Sequence, residues 1–135
     1  MGNTALMATE KVDWTPLQKA AEELRQVGAS VMYLALQGKL VGLIAVSDPV
    51  KATTPEALAT LREAGMTVVM ATGDGVTTAK AVASKLGISD VYGEVKPQDK
   101  LALVERLQQK GKVVATAGDA INDPPAPAKA EVGIA

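Results

Sequence analysis

Apolar positions along this chain change their period more than once, and each change marks an element. In "TPLQKAAEELRQVG" (Thr15 to Gly28), Leu17, Ala20, Ala21 and Leu24 fall on one face of a helix. Thr15 is placed as an N-cap, Pro16 takes the first helical position, Gln18 completes a capping box, and Gly28 ends the helix. "SVMYLALQGKLVGLIAV" then reads as two strands joined by a two-residue turn at Gln37-Gly38. From Asp48 onward helices and continuous apolar runs alternate. "TTPEALATLREAG" repeats the helix grammar, with Thr54 as cap, Pro55 first in the helix and Gly65 after it. "TVVMATGDG" predicts a buried strand entering a Gly-rich loop, and "TTAKAVASKLG" a helix with Ala79, Val82, Ala83 and Leu86 on one face. "VYGEV" is a short strand, "PQDKLALVERLQQKG" a helix from Pro97, "KVVATAGD" a further buried strand and "EVGIA" a last one.

Continuous apolar strands alternating with helices define an α/β fold: a Rossmann-like parallel sheet flanked by helices. Right-handed crossovers are expected, and a helix and β-hairpin precede the sheet. In such sheets ligands bind beyond the carboxyl ends of the strands. Those ends carry "SDPVK", "TGDG" and "GDAIND", three acidic or hydroxyl-bearing loops that converge on one edge.

Composition narrows what that edge can do. At 135 residues the chain is long enough for one domain, or a small domain with an appendage. The core must be aliphatic, because there is no Phe, one Trp and two Tyr. A formal net charge of -1 supplies no attraction to nucleic acid or an acidic membrane surface, so neither is expected as a partner. With neither Cys nor His, disulfides and thiolate or imidazole metal sites are excluded, and oxygen ligands for a hard cation are what is left. No run approaches the ~18 apolar residues of a membrane span, and the start lacks the pattern of a signal peptide. The expectation is a cytoplasmic domain that does not insert into a membrane.

Asp74, Asp119 and Asp123 are candidates to share Mg²⁺, which takes a few carboxylates and keeps several waters. Thr72 and the amides of "TGDG" are suited to phosphate oxygens. Lys100 sits in the first turn of its helix, against the helix dipole, where it balances an anion or simply meets solvent. Taken singly, each has a bland reading: "TGDG" as a turn and helix start, Asp123 as the cap of a short helix from Pro124. Together and in order they describe a phosphoryl-transfer site.

That ordered set, "SDPVK", "TGDG", "KPQDK" and "GDAINDPPA", resembles the motifs of P-type cation-transporting ATPases of the haloacid dehalogenase superfamily. "GLIAVSDPVK" and "EVKPQDK" place the resemblance nearest the heavy-metal, copper-exporting branch. It implies a remnant of the nucleotide-binding domain over residues 1–47, helix plus β-hairpin, and a haloacid dehalogenase-type phosphorylation-domain core over 48–135. It further implies that Gly2 and Asn3 lie near bound nucleotide and that Asp48 and Lys51 form a hinge that contacts it. Thr72, Gly73 and Asp74 would hold the phosphoryl group, and Lys100 would neutralise it. Asp119 would be the main Mg²⁺ ligand, supported by Asn122 and Asp123.

The departures are as specific as the matches. The family's phosphorylated aspartate, in Asp-Lys-Thr-Gly-Thr, has no counterpart here, nor do the nucleotide domain's His-Pro motif and Gly-x-Gly loop. Ala120, Pro124 and Pro127 stand where the family has Gly, Ala and Leu. Without the nucleophile the chain should not pump ions, any Mg²⁺ site should be residual, and ATP should bind weakly at best. The strand that carries the nucleophile is central in this fold, so the strands at Val68 and Val113 should have open edges that invite self-association. Two arrangements follow: Leu40 to Val46 moves into the vacancy, or it stays in the hairpin. The first would bring Asp48 to the nucleophile's place, as in a small soluble haloacid dehalogenase-like phosphatase. Pro49 beside it, and the lack of a second aspartate two residues on, argue against that use. The remaining reading is a non-catalytic or self-associating module.

Overall fold

The computed structural model describes residues 1–118 and 130–134. The chain forms two compact units, the first comprising Met1–Met70 with Asp74–Gly93 and the second Ala71–Gly73 with Glu94–Ala135.

In the first unit, helix α1 (Thr4–Thr9) starts where Asn3 accepts a hydrogen bond from the Leu6 amide at 3.0 Å. The strand–helix reading of the sequence passes over this helix, although Asn3 is a standard cap residue. Helix α2 (Thr15–Gln26) begins one residue earlier than its pattern predicts. The Asp13 carboxylate, not the Thr15 hydroxyl, meets the first amide, accepting from Thr15 N–H at 3.0 Å. These bonds to Thr15 hold the Asp13 carboxyl below the usual carboxylate range. Strands β1 (Ser30–Leu36) and β2 (Lys39–Val46) pair antiparallel across Gln37 and Gly38. Both turn residues have positive φ, 50° and 75°, as the tight hairpin requires. Met7, Val12, Ala21, Ala29, Val31 and Tyr33 form the core, with Trp14, Leu17 and Leu24 packed against it. It is the aliphatic core the composition dictates, with Tyr33 its one buried ring.

The hairpin settles where Leu40 to Val46 lies: every residue of β2 except Val41 has a partner in β1, and among the described residues the strand pairs with no other. A two-residue turn closes this ladder locally, whereas the alternative would give up its bonds for distant ones.

Helix α3 (Thr54–Glu63) has Pro55 in its first turn and is capped at Thr53, again one residue before the expected position. Arg62 donates from Nη2 to the carbonyls of Leu86 and Gly87 at 2.9 and 2.8 Å, which ties α3 to the end of α4 (Val76–Lys85). Helix α4 buries Thr78, Ala79 and Ala83. Strand β3 (Val69–Ala71) pairs with β4 (Asp90–Tyr92).

In the second unit, helix α5 (Pro97–Gln109) opens with the Asp99 carboxylate accepting the Lys96 amide at 3.0 Å. Strands β5 (Ala115–Ala117) and β6 (Val132–Ile134) pair parallel. Glu131 joins three pieces: its carboxylate accepts from Val114 N–H at 2.8 Å and from Gln108 Nε2 at 2.9 Å, while its own amide donates to the Val114 carbonyl at 3.1 Å.

The described strands therefore form three two-stranded sheets, and none pairs with both β3 and β5. This corrects the expectation of a buried strand over "KVVATAGD", because Val113 is 84% exposed. Its apolar character anticipates a neighbour that the described residues do not supply.

Glu131 carries a pH prediction. The Val114 amide holds its carboxyl below the ordinary glutamate range. A depressed value in the folded state contributes stability that is complete above the unfolded value and is lost as pH falls through the folded one. The protection of the Val114 amide, its exchange rate referred to the intrinsic rate at each pH, should fall on acidification through that window in the parent protein. In Glu131→Gln, which keeps a carbonyl acceptor but no titrating group, that protection should not change with pH over the same window.

Candidate functional site

The predicted residues gather in three places. Asp48 and Lys51, on the segment after β2, line an open groove of about 290 Å³ with Val27 and Gly28 at the end of α2, Pro55 of α3, and Val82, Lys85 and Leu86 of α4. Both side chains are exposed. Thr72 and Gly73, in the second unit, follow β3; the Thr72 carbonyl accepts the Val95 amide at 2.9 Å. That bond sets the Thr-Gly loop against the residues that lead into α5, whose first turn carries half-buried Lys100. Asp74 belongs to the first unit, where its Oδ1 accepts from the Ser30 hydroxyl at 2.5 Å. Gly75 caps α4 without a side-chain hydrogen bond, in the manner of turns that present helix amides to an anion.

Gly2 and Asn3 have structural work. Gly2 exchanges two backbone bonds with Tyr33, at 3.0 and 2.8 Å, and a Cβ there would fall 2.4 Å from Leu6 Cδ2. Asn3 caps α1. Asp119, Asn122 and Asp123 lie outside the described residues. Among the described residues no three acidic side chains come together to hold a metal.

Within the first unit, the residues that hold α4 had not been singled out in the sequence. Thr77 Oγ1 donates to Glu22 Oε1 at 2.8 Å, Thr78 Oγ1 to the Ala29 carbonyl at 2.8 Å, and Lys85 Nζ to the Val27 carbonyl at 2.6 Å. The Thr77-Thr78 pair directly after "GDGV" was the visible signal; Ser30, a lone serine at a strand start, offered none.

The fold and the threonine–glycine loop define a class. Residues 1–131 match the model of haloacid dehalogenase-like hydrolases, and the chain belongs to that family. Within it, the chain is 50% identical, over all 135 residues, to a copper-exporting P-type ATPase of Legionella pneumophila and to a silver-exporting P-type ATPase of Salmonella typhimurium. It spans only 18% and 16% of the length of those two relatives. Among solved structures, it is similar to a zinc-transporting PIB-type ATPase in its E2.Pi state, with TM-score 0.67 and 31% identity over 91% of this chain and 20% of that one. The catalytic CPx-ATPase domain CopB-B matches 77% of this chain and 42% of its own, with TM-score 0.63 and 27% identity. The resemblance read from the motifs, and the haloacid dehalogenase-type α/β fold, are thus both met.

Proposed function

We propose that these 135 residues are the phosphoryl- and cation-holding part of a copper-type P-type ATPase's cytoplasmic catalytic region, and that alone they do not hydrolyse ATP. The observation that carries this reading is the Thr72–Val95 bond, which sets the Thr-Gly loop beside the helix bearing Lys100. A threonine hydroxyl, loop amides and an ammonium group suit a phosphoryl group, and positioning and charge neutralisation supply most of the help such transfers need. Residues 1–47 are read as the close of a nucleotide-binding domain and 48–135 as the phosphorylation-domain core. Asp74 is assigned to the loop that holds the phosphoryl group and, with Asp48 and Lys51, to nucleotide contact, which without the rest of that domain is weak.

Mg²⁺ is assigned to Asp119, Asn122 and Asp123, on their residue types alone; bound there, it would supply charge neutralisation. The covalent step needs a nucleophile that the Asp-Lys-Thr-Gly-Thr motif would provide, and the chain lacks it. With β2 held in the hairpin, Asp48 follows a strand outside the parallel sheet, which weighs against the phosphatase reading. Among the described residues no helix is long and apolar enough to cross a membrane.

The test is turnover of p-nitrophenyl phosphate and of ATP with Mg²⁺, in the parent and in Asp48→Asn. Both proteins should stay at background. Turnover in the parent that disappears in Asp48→Asn would establish the phosphatase instead.

One further observation favours self-association. Strand β2, "KLVGLIAV", has one charge and no Pro, and among the described residues only β1 pairs with it. Leu36, Val41 and Val46 of the hairpin are exposed. Long apolar edges of this kind pair with other chains. Sedimentation should show concentration-dependent association that Val41→Lys suppresses; equal monomeric behaviour of both proteins would contradict it.

A further inference from the structure

The polar contacts between the end of α2 and α4 share a pattern. Four side-chain hydrogen bonds join a single stretch, Glu22 to Ser30, to a single stretch, Asp74 to Lys85. On one side stand the Glu22 carboxylate, the carbonyls of Val27 and Ala29, and the Ser30 hydroxyl. On the other are Asp74, Thr77, Thr78 and Lys85. The Val82 side chain comes close to Gly28 where they meet, since a Cβ on Gly28 would lie 3.3 Å from Val82 Cγ2. Apolar burial on this face of α4 is slight, because its buried residues are Thr78, Ala79 and Ala83. Alanine methyls hide little area, so directional bonds, not packing, set how α4 lies on α2.

We propose that Glu22–Ser30 is a reversible clasp on Asp74–Lys85, and that Ser30 is the positioning residue for Asp74. The Ser30 O–H donates to Asp74 Oδ1 and orients a carboxylate that begins the α4 loop. Thr77, two residues past Gly75, fastens the first turn of the same helix to Glu22. Opening of the clasp frees the loop and the α2–hairpin module together, which links the arrangement at Asp74 to the position of residues 1–47. The part of the proposal that gives Ser30 a role toward a ligand rests on the reading of Asp74 above. The clasp itself does not.

The chain has no cysteine, so Glu23→Cys and Lys80→Cys place spin labels only on exposed positions of α2 and α4. Pulsed electron spin measurements should give one narrow distance in this background. Adding Ser30→Ala with Thr77→Val should broaden it toward longer distances, with the circular dichroism unchanged. Substituting Thr77→Ser in place of Thr77→Val should restore most of the narrow population, because it keeps the hydroxyl. An unchanged narrow distribution in the Ser30→Ala, Thr77→Val protein would overturn the clasp. For the positioning role, the midpoint of Asp74 amide shifts under Mg²⁺ with inorganic phosphate should weaken about 3–10-fold in Ser30→Ala, the loss expected for one hydrogen bond of ordinary net strength. Equal midpoints would overturn that role. Absence of saturation in both proteins would contradict the site reading, and the distance measurement would still decide the clasp.

Discussion

Tyr33→Ala is expected to remove about 3–5 kcal/mol of stability, as large aromatic truncations in a core do. A domain has only about 5–15 kcal/mol in all, so the variant should be largely unfolded at ambient temperature or close to it. Tyr33 is fully buried, and it stands at the centre of the core made by α1, α2 and the hairpin. Its backbone holds Gly2 on one side and Leu43 on the other. Its ring lies under the Arg25 guanidinium, 5.7 Å from the centroid, an arrangement that contributes a further fraction of a kcal/mol. The hydroxyl is a separate matter. Among the described residues it has no hydrogen-bond partner, although it is buried. Tyr33→Phe should therefore be neutral or slightly stabilising, because it deletes an unsatisfied polar group and keeps the ring. Urea unfolding of the two variants checks both statements, and a cost above ~1 kcal/mol for Tyr33→Phe would mean the hydroxyl is satisfied.

Gly93→Ala should have the next largest effect, at about 1–3 kcal/mol, the usual cost of forcing a methyl into filled space. A Cβ on Gly93 would lie 2.8 Å from Val76 Cα, 3.1 Å from Val76 N and 3.2 Å from the Asp74 carbonyl. All three atoms are backbone, so no rotamer change relieves the clash. The segment from Asp74 to Val76 must move, and with it the start of α4. Thermal unfolding should show the loss, and amide shifts should be largest from Asp74 to Thr78. Gly75→Ala is the control: nothing lies within 4 Å of its Cβ and its φ of -57° suits any residue. Its effect should be much smaller. Equal effects at both positions would show that the close approach at Gly93 is not what matters.

The elements that could be read from the chain are those whose causes are local. Gln37-Gly38 closes a hairpin through its own backbone, and Pro16, Pro55 and Pro97 each mark a first helical turn. The cap of α2 lies one residue early because Asp13 reaches its first amide before Thr15 can serve as its cap. Helix α1 was missed, being six residues long with no sustained apolar period. Burial was the harder inference. "KVVAT" is apolar enough for a central strand, yet Val113 faces outward, because burial depends on a neighbour elsewhere in sequence.

The site divides the same way. Thr72, Gly73 and Lys100 were legible as motifs, and a single backbone bond from Val95 sets two of them beside the helix of the third. Asp48 and Lys51 do share a groove. Ser30 could not be found, since its partner Asp74 is 44 residues away and no pattern links them. Gly2 and Asn3, matched to a nucleotide site by resemblance, also serve the local needs of a bridge and a cap.

The most direct test of the central claim is an amide-shift titration of the intact chain with Mg²⁺, followed by inorganic phosphate. Saturable Mg²⁺ shifts are expected at Asp119, Asn122 and Asp123, which spread to Thr72, Gly73 and Lys100 when inorganic phosphate is added. If no amide among these six moves with either addition, the chain does not hold a phosphoryl group or its cation, and the proposed function is wrong.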